Sequence, residues 1–104
     1  MNQSKFGNSK TNIASSSGGS LRLTIPATPF VPTVVDTPCR YCRVQVGTSN
    51  TSAVRCRIDS AATSTTGVAL PAYPTLTPYS VDNLNKLNFL GGTENDVVDI
   101  EYFT

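Results

Sequence analysis

Three cysteines are the first residues of this chain whose type and spacing suggest chemistry. Cys39 and Cys42 are separated by two residues, and Cys56 follows on the next apolar stretch. A structural zinc site normally has four Cys or His ligands, whereas this chain has three cysteines and no histidine. Cys39 and Cys42 would also point to opposite faces if both belonged to one strand. We therefore predict no metal ligands.

Cys42 and Cys56 have two interpretations. If the chain turns back at Ser49 and Asn50, these cysteines meet across a β-hairpin at a distance that a disulfide could bridge. Alternatively, both are small buried hydrophobic residues with free thiols. We favour free thiols, because an odd number of cysteines without a recognisable secretion signal indicates a reducing compartment.

Catalytic groups are scarce. Without histidine, no serine or cysteine can be matched to the usual base. Asp99 and Glu101 alternate along one strand, and we predict that they pair electrostatically with arginines on an outer sheet face. These arginines are Arg43, Arg55 and Arg57. The Gly-Gly pairs lack the spacing that cradles a phosphate group. The sequence therefore predicts no enzyme, no catalytic residue and no cofactor.

The elements that carry these residues are predicted to be strands. Threonine and serine supply 14 and 11 of the 104 residues, a composition that favours strands and turns over helices. Short alternating segments separated by Gly, Asn and Pro predict an all-β fold with a small β-sandwich or jelly-roll-like body. In this prediction, residues 42–46 and 54–58 form a hairpin, 68–70 and 87–90 are short strands, and 97–103 is the last strand. The predicted core consists of Val44, Val46, Val54, Ile58, Leu70, Leu76, Val81, Leu84, Leu87, Phe89, Val98, Ile100 and Tyr102.

The N-terminal part has a different composition from the rest. Residues 1–20 are polar, with a Ser/Gly-rich stretch, and four prolines follow within residues 26–38. We predict that residues 1–38 form an extended arm with one strand at about residues 21–25, and that residues 39–104 form the compact domain. Such an arm cannot offset its ordering entropy alone, so it is expected to lie on a partner. Its predicted anchors are Leu21, Leu23, Ile25, Phe30 and Val31.

Charge is distributed unevenly along the chain. Residues 1–58 carry seven basic side chains and one acidic side chain, whereas residues 59–104 carry one basic and six acidic. The two halves could pair within one molecule or between neighbouring copies, and the sequence does not choose between these arrangements. No apolar run is long enough to span a membrane.

Four motifs follow one another in residues 42–104. They are Cys42-x-Val-x-Val, Gly67-Val68-Ala69-Leu70-Pro71, Asp82-Asn83-Leu84-Asn85-Lys86-Leu87 and the strand from Asp96 to Tyr102. In this order they resemble small structural proteins of tailed bacteriophages, and the segment from Asp82 to Leu87 is the most specific part of the resemblance. The chain departs from the pattern at Tyr73, where a glycine is expected, and at Cys56, where an aliphatic residue is expected.

This resemblance implies a capsid decoration (cement) protein. Such a protein binds the outer surface of the major capsid shell, bridges its subunits as a homotrimer and resides on the virion after synthesis in the host cytoplasm. Arg43, Arg55, Arg57, Asp99 and Glu101 would then make electrostatic contacts with a neighbour. The alternative is a tail or fibre module that recognises a host surface, with Tyr41, Tyr73 and Tyr79 stacking on sugars. A single-stranded nucleic-acid binder using the arginine face ranks third.

Overall fold

Seven strands in two antiparallel sheets make up the regular structure of residues 18–104, which are the residues that the computed structural model describes. The strands are β1 (Gly18–Thr24), β2 (Tyr41–Val46), β3 (Arg55–Ile58), β4 (Val68–Ala69), β5 (Thr77–Tyr79), β6 (Leu87–Leu90) and β7 (Val97–Phe103). A single 3₁₀ turn, Leu84–Lys86, precedes β6. The prediction of an all-β protein is confirmed.

The four-stranded sheet has the order β1-β7-β2-β5, and the three-stranded sheet has the order β4-β3-β6. The inward faces of both sheets contribute to one hydrophobic core, in which Val44 and Ile100 of the larger sheet join Leu87 and Phe89 of the smaller one. The alternation of apolar and polar residues explains these inward faces, because every second residue of a strand points to the same side of its sheet. Most of the predicted core is buried. However, Ile58 at the end of β3 and Leu76 just before β5 are each 43% exposed, and Tyr102 is only partly buried.

The predicted hairpin between residues 42–46 and 54–58 is wrong. β2 pairs with β7 and β5, whereas β3 pairs with β4 and β6. Residues 47–54 therefore form a crossover loop that carries the chain from one sheet to the other. Gly47 begins this loop where a Cβ would clash with Val97, so the close approach requires glycine.

The predicted separation of an arm at residue 38 does not hold from residue 18 onward. β1 pairs along its whole length with β7, from Gly18 opposite Phe103 to Thr24 opposite Val97. The following segment, residues 25–40, is fastened by backbone hydrogen bonds to residues 82–103. Thr37 accepts from Leu84, for example, and Cys39 donates to Asp82. The predicted arm residues 1–17 lie outside the described part of the chain.

The segment from Asp82 to Leu87 now has a structural explanation. The side-chain oxygen of Asn83 accepts from the backbone N–H of Thr37 and of Asn85, at 3.0 Å each. It thus caps the 3₁₀ turn and holds residues 25–40 in place. Asp82 and Lys86 form an ion pair at 2.9 Å, which lowers the pKa of Asp82 through a hydrogen bond and Coulomb attraction. This motif therefore joins the N-terminal segment to the body.

Candidate interaction face on the four-stranded sheet

The outward face of the four-stranded sheet carries two cross-strand ion pairs. In the antiparallel register, Arg22 lies opposite Asp99 and Arg43 lies opposite Glu101. Arg22 donates from Nε to Asp99 Oδ1 at 2.7 Å and from Nη2 to Oδ2 at 3.0 Å, so the pair is bidentate. Arg43 donates from Nη2 to Glu101 Oε1. Two basic residues of the N-terminal half thus pair with two acidic residues of the C-terminal half within one molecule.

These pairs produce a defined charge pattern. The carboxylates of Asp99 and Glu101 both lie on β7, between Arg22 on β1 and Arg43 on β2. The hydrogen bond and Coulomb attraction of Asp99 raise the pKa of Arg22. All four side chains remain at least one-third exposed, so each also faces solvent. The face is a central acidic strip with a cation on either side, rather than a surface of one sign.

An aromatic pair lies at one end of this face. Tyr41 on β2 and Phe103 on β7 are register partners, with ring centroids 5.7 Å apart and planes tilted by 32°. The guanidinium carbon of Arg43 lies 5.6 Å from the centre of the Phe103 ring, which is a cation–π distance. Both rings are partly exposed. We call Tyr41, Arg43 and Phe103 the aromatic–arginine cluster.

Arg43 does not use all of its hydrogen-bond donors within the chain. Its Nε–H is buried and has no acceptor within residues 18–104. An arginine has five donor hydrogens, and the pair with Glu101 uses one nitrogen. The exposed end of the guanidinium therefore keeps donors that can reach a partner.

The other predicted electrostatic residues lie elsewhere. Arg55 is on the three-stranded sheet, where Nε donates to Thr66 O at 3.2 Å and Nη2 donates to Gly67 O at 2.7 Å. Arg57 is exposed on the same strand. The prediction of one arginine-rich hairpin face is wrong, since it placed β2 and β3 side by side. That face was the basis of the nucleic-acid interpretation.

The predicted arm anchors are mostly covered by the chain itself. Ile25 is fully buried and Leu23 is 9% exposed, while Leu21 and Phe30 are partly buried. Leu23 and Ile25 therefore leave little apolar surface for a partner. Leu21 and Phe30 keep part of their surface exposed, and their role as anchors stays a prediction. Val31 is 45% exposed, so it alone among the five presents substantial apolar surface.

The cysteines are free thiols. Cys42 and Cys56 are buried and face the core from opposite sheets, while Cys39 donates from Sγ to Val81 O at 3.3 Å. Burial raises the pKa of Cys42 to about 12. Burial also raises the pKa of Cys56, although a hydrogen bond with Tyr79 opposes the shift. Residues 18–104 contain no group of three or more His, Cys, Asp or Glu that could hold a metal ion.

Sequence reasoning missed Arg22 and Phe103 as members of the face. Arg22 alternates with Leu21 and Leu23, so its outward direction was predictable. Its partner was not, because Asp99 lies 77 residues away. Phe103 follows Asp99 and Glu101 at the same two-residue spacing, and this spacing was the available signal.

No helix within residues 18–104 has both the length and the apolar character needed to cross a membrane. No protein-family model matches the chain, and no curated protein or solved structure matches it significantly.

Proposed function

We propose that this chain is a non-catalytic virion structural protein, a capsid decoration protein with a sandwich-like body. It binds the outer surface of a shell of major capsid protein. The observation that carries the proposal is the aromatic–arginine cluster on the outward face of the four-stranded sheet. The resemblance of residues 42–104 to phage decoration proteins supplies the class of partner.

The composition of the cluster favours protein binding. Tyrosine, phenylalanine and arginine are enriched in the central parts of protein interfaces, and a few such residues carry most of the binding free energy. Tyr41 and Phe103 are partly exposed, so docking would bury their remaining apolar surface. A stable interface buries about 800 Å² on each partner, so the cluster and the adjoining ion pairs would form the centre of a larger contact.

The charge pattern provides orientation. Asp99 and Glu101 form one acidic line, and Arg22 and Arg43 flank it. On a shell surface with the complementary order of charges, the chain should dock in one orientation. A rotated orientation is disfavoured because it brings like charges together. Such a pattern contributes more to specificity than to affinity, and repetition over many equivalent sites supplies avidity.

Bridging between shell subunits is proposed to occur through a homotrimer of this chain. Each copy then contributes one aromatic–arginine cluster to a joint attachment surface. Sedimentation equilibrium of the purified chain, alone and after release from shells, measures the copy number. A monomer in both states contradicts the trimer without affecting the proposed face.

The main test is co-sedimentation with shells assembled from the major capsid protein of the same virus. We expect saturable binding of the unmodified chain and at least a tenfold loss for Arg43→Glu, since about 1.4 kcal/mol corresponds to tenfold. Arg57→Glu is the matched control, because it makes the same charge change at an exposed arginine on the other sheet. Equal binding by the two variants would overturn the role of the face.

Exchanging the charges of Arg43 and Glu101 distinguishes loss of a contact with the shell from loss of fold stability. The double variant Arg43→Glu with Glu101→Arg keeps an ion pair between neighbouring strands but reverses its direction. If Arg43 only stabilises the fold, the exchange restores binding. If the shell recognises the charge order, binding stays low while the unfolding midpoint recovers. Binding of the unmodified chain to host cells, and none to shells, would instead support the tail or fibre alternative.

A further inference from the structure

A cleft of about 390 Å³ opens between the crossover loop and the segment after β4. Thr48, Asn50, Thr51 and Ser52 line one side, and Leu70 and Tyr73 line the other. This volume lies within the range of ordinary small-molecule sites. The cleft is separate from the aromatic–arginine cluster, since the two share no residue.

The lining of the cleft limits the class of ligand. None of its side chains is charged at neutral pH, so neither an anion nor a cation finds a counter-charge there. The nearby carboxylate of Asp96 is buried and accepts from the backbone N–H of Thr51 and Ser52. The lining instead combines one aromatic ring with hydroxyl, amide and backbone groups.

Two polar groups in the cleft remain available. Tyr73 is 50% exposed, and its hydroxyl makes no hydrogen bond with any residue in the described part of the chain. The Thr48 hydroxyl is likewise free within residues 18–104. By contrast, the Asn50 side chain is fully engaged with Val97, donating to its O and accepting from its N, both at 2.9 Å.

The wall that carries Thr48 is held in place before any ligand arrives. Besides the Asn50 bonds, Asp96 Oδ1 accepts from Thr51 N at 3.0 Å, and Asp96 Oδ2 accepts from Ser52 N at 3.0 Å. Gly47 closes the turn against Val97. Because this loop is ordered by its own contacts, binding a ligand would require little additional ordering.

We propose that this cleft binds a neutral pyranose sugar. The apolar face of the ring stacks on Tyr73, as apolar C–H groups do on an aromatic face, and its hydroxyls bond to Thr48 and to the Tyr73 hydroxyl. Sugars combine an apolar face with several hydroxyls, which is the combination that this uncharged lining offers. The proposal is independent of shell binding. The cleft lies at the Val46 end of β2 and contains none of the cluster residues, whereas the cluster lies at the Tyr41 end.

The test is a titration of the full ¹⁵N-labelled chain with D-glucose, D-galactose and N-acetyl-D-glucosamine, followed by amide shifts. N-acetylneuraminic acid, an anionic sugar, is the comparator. We expect saturable shifts confined to residues 47–52 and 70–73 with at least one neutral sugar. Tyr73→Ala should weaken this binding at least tenfold, whereas Tyr41→Ala, which removes an aromatic ring that does not line the cleft, should not.

The proposal fails if none of the neutral sugars produces saturable shifts up to 100 mM, or if shifts appear away from the cleft. It also fails if N-acetylneuraminic acid binds as well as the neutral sugars, or if Tyr73→Ala binds unchanged. Arg43→Glu provides the separation from the shell-binding proposal. It should retain the sugar shifts even where it has lost shell binding.

Discussion

β2 and β3 have similar sequences but different surroundings. In each strand a buried cysteine, Cys42 or Cys56, is followed by an outward arginine, Arg43 or Arg57. β2 is an inner strand of the larger sheet, where Arg43 meets a carboxylate and an aromatic ring of β7. β3 is the central strand of the smaller sheet, where Arg57 meets solvent.

The difference shows that an outward residue acquires its role from the neighbouring strand. β7 brings Glu101 and Phe103 beside Arg43, whereas β4 is only two residues long and β6 places Asn88 opposite Arg57. Arg55 therefore bonds to loop carbonyls and Arg57 remains free for solvent. Within residues 18–104, the outward face at β2 combines charge with aromatic surface and the outward face at β3 does not. The proposed docking face therefore lies at β2.

The largest expected effect on stability comes from truncating a large buried side chain in the core between the two sheets. Phe89 on β6 lies opposite Cys56 of β3 and is 1% exposed in the core. Phe89→Ala should lower the free energy of unfolding by about 3–5 kcal/mol, through lost burial and the cavity left behind. Urea unfolding followed by circular dichroism measures this loss. Leu76→Ala, at an exposed position, is the control and should have a much smaller effect.

The second prediction concerns the loop that separates β2 from β3. Asp96→Ala removes the carboxylate that accepts from Thr51 N and Ser52 N, and it should lower the free energy of unfolding by about 1–3 kcal/mol. Amide exchange at Thr51 and Ser52 should accelerate more than exchange within β2. Glu94→Gln changes an exposed acidic residue nearby and should leave both measurements unchanged. If Thr51 and Ser52 exchange at the same rate in Asp96→Ala as in the unmodified chain, the loop is held by other contacts.

The third prediction uses the cysteines of the two strands. The pKa of Cys42 is about 12 in the folded chain, above its ordinary value near 9, so the unfolded state loses this proton first as pH rises. The contribution of Cys42 to stability should be constant below pH 9 and should be lost between about pH 9 and 12. Cys42→Ala should reduce this decline, as measured by urea unfolding at several pH values.

Thiol labelling provides a second readout of the same environment. At pH 8 a thiol reagent should modify Cys39 in the native chain, because Cys39 is partly exposed whereas Cys42 and Cys56 are buried. In 6 M guanidinium all three cysteines should react, because unfolding exposes them to the reagent as thiolates. Rapid native labelling of Cys42 or Cys56 would show that the space between the sheets is open.

The smallest effect is expected from the outward arginines. Arg43→Gln should lower the free energy of unfolding by about 0–1 kcal/mol, as is usual for exposed ion pairs, and the loss should shrink in 1 M NaCl. Arg57→Gln should have no measurable effect on stability. A larger loss for Arg57→Gln would reverse the proposed difference between β2 and β3.

Strand positions were predictable from local pattern, but strand partners were not. The alternation of Val98, Ile100 and Tyr102 with acidic residues places the last strand correctly. The predicted hairpin of β2 and β3 was wrong because it assumed that strands adjacent in sequence pair with each other. Residues 47–54 instead carry the chain from one sheet to the other. Asn50 and Asp96 determine that crossing, and their partners lie more than 40 residues away.

Composition and two-residue alternation by themselves determined that this chain is all-β, which residues of each strand face inward, and that histidine-dependent catalysis is unavailable to it. Tertiary structure alone decided that β1 belongs to the body, that Arg43 rather than Arg57 lies beside an aromatic ring, and that a neutral cleft forms beside Tyr73. The reason is physical. The direction of a side chain follows from local backbone geometry, whereas its neighbour depends on which distant strand buries the most apolar surface against it.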